Sequence, residues 1–191
     1  MKRIRELKIK AGEIVLTDIL AIDPTGSLGE REESATGMIV FRSWDDYKIL
    51  HFKSNNWREH VDCIREVIQK EKIRLVVYEE SKFLKGKFMS YHFRHLLFVN
   101  AGIELNGWWM KVKVLTNSAS NIATHVPEEI VRGLVRKKIK SVTTGRMIYN
   151  WTFRGENINV HEKDAIRHLY WHLVKREGEQ WPWEEEGTPF E

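Results

Sequence analysis

The 191-residue sequence predicts an α/β domain. Three strand-like runs follow one another, an amphipathic stretch comes next, and then an almost uninterrupted apolar run ends on two acids. A short link between the second and third runs favours antiparallel pairing, and a helix between two strands implies a right-handed crossover to a parallel neighbour. The expected architecture is therefore a five-stranded mixed sheet, three antiparallel strands and then parallel ones, flanked by helices. The length suits one domain, and the chain has no internal repeat.

Residues 13–23 are rich in branched aliphatics and stop at Pro24-Thr-Gly26, where proline removes a donor and glycine permits a turn. That is a first strand ending on Asp23. Residues 36–41 and 47–52 read as a second and third strand joined by a polar link. Over 56–72 the period changes: Trp57, Val61, Ile64, Val67 and Ile68 recur three or four apart, which predicts a helix. Its Val61-Asp-Cys-Ile64 flank reads as a buried face that takes in Cys63. Residues 73–78 are nearly all apolar, as in a strand covered on both faces, and Glu79 and Glu80 follow.

Residues 82–87 read as a basic loop, 88–101 as a second helix closed by Gly102, and 109–115 as an alternating fifth strand. Pro127, with Glu128 and Glu129 behind it, opens a further helix that runs into residues 132–140, the densest basic segment. Residues 141–160 have no clear period and fit a short hairpin or an irregular insertion. The last helix spans 161–175, with Ala165, Ile166, Leu169 and Leu173 as its apolar stripe.

The formal charge of +4 hides an asymmetry. Six of the 27 acidic residues and none of the 31 basic ones lie in 177–191, so residues 1–176 hold ten positive charges in excess. A basic body suits a polyanionic partner, because lysine and arginine release counterions from phosphates. The tail, with Trp181 and Trp183, is expected to be extended or disordered. A single cysteine excludes an intramolecular disulfide and a Cys-rich zinc module. No apolar run approaches the ~18 residues of a membrane span and the start lacks a signal-peptide stretch, so a cytoplasmic location is expected.

Three acids stand at chemically useful places: Asp23 closes the first strand, Glu79 the fourth, and Asp164 lies in the first turn of the last helix. Singly, Asp23 could shape an Asx turn and Asp164 complement a helix dipole. Together, converging carboxylates without matched cations suit Mg²⁺ or Mn²⁺. Glu79 and Glu80 compete for one role, since successive strand residues face opposite ways. His168 and His172, like His92 and His95, have a spacing that can hold zinc, but no cysteine stands beside them.

The runs Ile19-Leu-Ala-Ile-Asp-Pro-Thr-Gly26, Leu75-Val-Val-Tyr-Glu-Glu80 and His161-Glu-Lys-Asp-Ala165 resemble, in that order, the motifs of RuvC-type Holliday junction resolvases of the ribonuclease H-like fold. The resemblance implies a nuclease domain over about residues 14–176, with an N-terminal extension (1–13) and an acidic tail (177–191). It implies Asp23, Glu79, His161 and Asp164 as catalytic and metal-holding residues, with Mg²⁺, or Mn²⁺ in its place, driving phosphodiester hydrolysis. His161 would bind metal or move a proton. Glu79 is preferred to Glu80 because the family's acid directly follows the apolar run.

The implied partners are branched DNA, a four-way junction above all, and a second copy of the chain docked through residues 88–101, where Phe93, Leu97 and Phe98 fit an apolar interface. Expected DNA contacts are Lys82, Phe83, Lys85 and Lys87 after the acid, together with Phe88, and a second surface at Arg136, Lys137 and Lys138 flanked by Arg132 and Lys140. The two extensions and the long 141–160 connection point to a phage or mobile-element branch. A flap, fork or RNA–DNA hybrid nuclease is the nearest alternative, and a catalytically silent DNA-binding scaffold is the alternative outside enzymes.

Overall fold

The computed structural model describes residues 18–25, 34–43, 45–80, 91–118, 122, 124–131, 133–140 and 147–178. Five strands form the main sheet: β1 (Ile19–Asp23), β2 (Ser34–Phe41), β3 (Tyr47–Ser54), β4 (Leu75–Glu80) and β5 (Lys113–Ser118). Their order is β3-β2-β1-β4-β5. β1 runs antiparallel to β2 and parallel to β4, and β4 runs parallel to β5. This is the expected mixed α/β sheet.

Ile19, Leu20, Ala21 and Ile22 are all buried because both faces of β1 are covered. Ile19 and Ala21 join one core with the C-terminal helix, while Leu20 and Ile22 join another beneath α1 (Trp57–Lys70) and α2 (Tyr91–Met110). Sheet alternation thus decides that Asp23 faces the same side as Ala21.

Asn56 caps α1, accepting from the Arg58 amide, and Ile64 and Ile68 bury its inner face. Cys63 is half-buried and packs against the edge of that core with Val61 and Val67. His60 is fully buried on α1 and ties it to the sheet: Nε2 lies 3.0 Å from the Ser54 carbonyl and Nδ1 2.9 Å from Thr36 Oγ1. Burial pushes this imidazole's pKa down, which favours its neutral form.

α2 continues through Gly102 to Met110, correcting both the expected stop and the expected start of the fifth strand at 109. A Cβ on Gly102 would come within 2.4 Å of the Val61 side chain, so glycine there serves the close approach of α1 and α2. The helix ends instead through Lys111, whose φ is 57°: its amide reaches the Trp108 carbonyl and that of Val112 reaches Gly107. Two such bonds across a left-handed residue make a Schellman closure. Lys72 ends α1 in the same way.

The basic segment is a strand and not a helix. After a short 3₁₀ turn at Glu128–Ile130, β6 (Leu134–Lys140) pairs antiparallel with β7 (Met147–Phe153), which pairs with β8 (Glu156–Ile158). Leu134, Val135 and Ile139 imitate a helical spacing, but the β-branched and aromatic residues of β7 supply the partner that fixes a strand. Arg154 and Gly155, with φ of 50° and 87°, make the two-residue turn between β7 and β8. This second sheet resolves the open choice over 141–160 in favour of a hairpin; residues 141–146 lie outside the described set.

The last helix, α3 (Val160–Tyr170), continues into a wider π turn at Trp171–Arg176. Residues 1–13 and the Trp181 and Trp183 tail lie outside the described residues. Among the described residues no helix is long and apolar enough to cross a membrane.

Candidate active site

One lateral row of the main sheet organises the site. Register pairs His51 with Gly37, Gly37 with Asp23, and Glu79 with Asn117. Ile22 pairs with Tyr78, so Asp23 and Glu79 come next on adjacent strands. The next same-face row of the sheet is Ile49, Ile39, Ala21, Val77 and Leu115, all packed in the α3-side core. The row His51-Gly37-Asp23-Glu79-Asn117 therefore faces α3.

The first turn of α3 is fastened to this row. Asn159 accepts from the amides of His161 and Glu162, and the Glu162 carboxylate accepts from the Asn159 amide, a complete capping box. The other oxygen of Glu162 lies 3.0 Å from His51 Nδ1 on β3. Beneath the turn is Gly37, where a Cβ would stand 2.1–2.4 Å from backbone atoms of His161 and Glu162. Only glycine lets the turn lie this low.

The consequence is a contact between chain ends: His161 Nδ1 is 2.7 Å from Asp23 Oδ2. Seven residues on, on the same helical face, fully buried His168 places Nε2 3.3 Å from Glu79 Oε2. Ligand atoms of Asp23, Glu79 and His168 all lie within 4.8 Å of one another. Asp164 is on the same side of α3, but its Oδ1 meets Arg167 Nη1 at 2.8 Å and Lys163 Nζ at 3.3 Å. Asp164 is still near enough to act on Asp23 electrostatically. Glu80 is exposed and points away from the row.

The electrostatics match a site that wants a cation. Burial raises the Asp23 pKa, and neither the hydrogen bond nor the charge of His161 offsets it fully. The hydrogen bond to Asp23 raises the His161 pKa against the opposing effect of burial. A desolvated carboxylate, a second carboxylate and an imidazole within reach fit a divalent ion, and the imidazole suits Mn²⁺ better than Mg²⁺. Glu79→Gln is expected to weaken Mn²⁺ binding by more than the ~10–100-fold typical of outer-shell partners, while Glu80→Gln stays near wild type. Mn²⁺ titrations of the two variants decide the point.

Of the residues expected to touch DNA, Lys82, Phe83, Lys85 and Lys87, with Phe88, lie outside the described residues, as does Arg132. Arg136, Lys137 and Lys138 are exposed on β6. The strand separates them: register places Arg136 opposite Trp151 and Lys138 opposite Tyr149, whereas Lys137 faces the other way. The Arg136 guanidinium lies 3.4 Å from the Tyr149 ring centre and 5.7 Å from that of Trp151. Lys163 Nζ, in turn, is 4.9 Å from the Trp151 ring centre. This cation–π ladder joins the second sheet to the first turn of α3.

Sequence reasoning weighed His168 only in a zinc pair with His172 and did not reach Gly37, His51, Glu162 or Asn117. The signal for His168 was its spacing of seven from His161. The others became visible only through strand register.

No family model matches the chain, and no curated protein matches it in sequence. Solved structures do. Thermus thermophilus RuvC in complex with a Holliday junction substrate superposes with a TM-score of 0.55 at 14% identity, covering 85% of this chain and 97% of that one. A second Thermus thermophilus RuvC structure gives a TM-score of 0.51 at 14% identity, over 84% and 96%. The chain shares the ribonuclease H-like fold of RuvC.

Proposed function

We propose that the chain is a metal-dependent endonuclease that cuts branched DNA, with a four-way junction as its first substrate. The observation that carries this reading is the meeting of Asp23 and Glu79, from adjacent strand ends, with His161 and His168 of α3 on a fold shared with RuvC. The Thermus thermophilus RuvC of that comparison is bound to a Holliday junction.

Asp23 and Glu79 would hold the cation, with His168 beside them and Asp164 on the same side of α3. Bound Mg²⁺ or Mn²⁺ supplies an activated water and charge stabilisation at the phosphodiester. Asp23 orients His161 through Nδ1 and raises its basicity, which leaves Nε2 free to accept or return a proton. Lys82, Lys85 and Lys87 hold phosphates and Phe83 stacks on an unpaired base near the crossover.

A homodimer places two such sites on opposing strands. The outer face of α2 favours it: Phe98, Leu105, Trp108 and Trp109 are 41%, 64%, 75% and 80% exposed. Phe98, Ala101, Leu105 and Trp108 follow a three-four-three spacing that a second helix can cover. Phe93 and Leu97 are half-buried and contribute less.

The test is cleavage by the full-length protein, with and without Mn²⁺ or Mg²⁺, of a four-way junction, a flap, a linear duplex and an RNA–DNA hybrid. Preferential metal-dependent junction cutting is expected. Cutting of the hybrid alone removes the resolvase reading, and junction binding without any cutting favours a silent scaffold.

The second sheet makes a separable expectation. The double variant Arg136→Ala, Lys138→Ala should flatten the slope of log affinity against log salt by about 1–2, since each phosphate contact contributes roughly 0.9. Lys137→Ala, on the opposite face, should leave the slope unchanged. Junction-binding titrations over a salt series measure both.

A further inference from the structure

Asn117 has no role in what has been described, and its state calls for one. It sits near the C-terminal end of β5, 1% exposed, in register with Glu79. Parallel register gives the two side chains the same face, with their strands about 4.8 Å apart. Among the described residues, neither Nδ2 nor Oδ1 of Asn117 has a hydrogen-bond partner.

A buried carboxamide with both ends unpaired is destabilising, and an apolar residue of the same shape would avoid that cost. Leu115, two residues earlier on the same face, shows that apolar packing is available there. A second orphaned atom stands beside the same acid: among the described residues His168 Nδ1 is buried without a partner, while Nε2 meets Glu79. Glu79 is thus flanked by a polar side chain on β5 and one on α3, each with hydrogen-bonding capacity unspent.

We propose that Asn117 is a ligand-holding residue of the site, its carboxamide reserved for the hydrated divalent cation and phosphate oxygen beside Glu79. The inference rests on the metal site of the preceding section and extends it across one more strand. An amide suits this place. Oδ1 is a hard neutral oxygen that can ligate the cation or accept from one of its waters, and Nδ2 can donate to a phosphate oxygen. A third carboxylate could do only the first and would repel the phosphate. With the cation and phosphate bound, both ends of the carboxamide are satisfied.

The experiment is Mn²⁺ binding to full-length protein without DNA, followed by the electron paramagnetic resonance signal of free Mn²⁺ and by thermal shift. Three proteins are compared: wild type, Asn117→Leu and Asn117→Asp. Asn117→Leu should melt no lower than wild type without metal yet bind Mn²⁺ about ten-fold more weakly or worse. Asn117→Asp should melt lower without metal and bind Mn²⁺ more tightly. If wild type binds Mn²⁺ and both variants bind equally well, the inference is overturned while the metal site stands. If wild type binds none, the metal site itself falls and the inference with it. Should Asn117→Leu fail to fold, Asn117→Asp decides alone, and unchanged Mn²⁺ affinity in that variant overturns the assignment.

Discussion

Replacing Asp23 with asparagine is expected to abolish metal-dependent cleavage while leaving the metal-free protein at least as stable as wild type. The activity loss should reach about 10²–10³-fold or more, the scale of removing one group that stabilises transition-state charge. The stability half of the prediction follows from the pKa direction. The folded-state pKa of Asp23 lies above its ordinary value because burial disfavours the ionised form. Folding therefore favours the protonated acid; that contribution is full below the ordinary carboxylate range and is lost as pH rises through the raised value. At neutral pH the ionised carboxylate is a liability that asparagine, of nearly the same shape, removes.

Mn²⁺ should reverse the ranking. A ligand at one hundred times its Kd stabilises the state it binds by about 2.7 kcal/mol, worth roughly 5–10 °C in Tm for a domain of this size. Wild type should show this rise and Asp23→Asn should not. If both proteins gain equally, the cation sits elsewhere, and Asp23 is a structural turn residue.

How far the site was legible depended on whether its residues mark their own position along the chain. Asp23 and Glu79 each end an apolar strand, and a carboxylate at such a place needs a reason that sequence alone can supply. His161 was implied by the resemblance of His161-Glu-Lys-Asp-Ala165 to the resolvase motif. His168 lay one step further along that face, hidden among apolar neighbours that made it look like core. Gly37 and Asn117 carry no local mark: their meaning arises only when register sets them in one row with the acids.

The second sheet illustrates a different limit. Five of the nine residues in 132–140 are charged, and Val135 to Ile139 are exposed on both faces of β6, so the alternation that identifies a strand is missing. Its partner strand lies beyond the 141–146 segment, and pairing, not propensity, decided the conformation. Helix ends were misplaced for a related reason. Lys72 and Lys111 adopt the left-handed conformation usually given to glycine, while Gly102 is spent on packing.

That difference between kinds of glycine yields the other large effect, for Gly37→Ala. The added methyl would meet the His161 carbonyl carbon at 2.1 Å, its oxygen at 2.2 Å and the Glu162 nitrogen at 2.4 Å. These are backbone atoms, so no rotamer change relieves them, and the first turn of α3 must lift from the sheet. Overpacking of this kind costs about 1–3 kcal/mol or more. Lifting the turn also withdraws His161 from Asp23 and strains the Glu162–His51 contact. A misplacement of roughly 1 Å can lower turnover about 10²-fold.

Gly102→Ala separates this effect from general destabilisation. Its methyl meets the Val61 side chain, on the far side of the sheet from the site. It should lower Tm as well, yet cleave at close to the wild-type rate per folded molecule. Measured where both variants remain folded, Gly37→Ala should lose cleavage and Gly102→Ala should keep it. Equal activity in the two would mean that the docking height of α3 does not set the geometry of the His161–Asp23 pair.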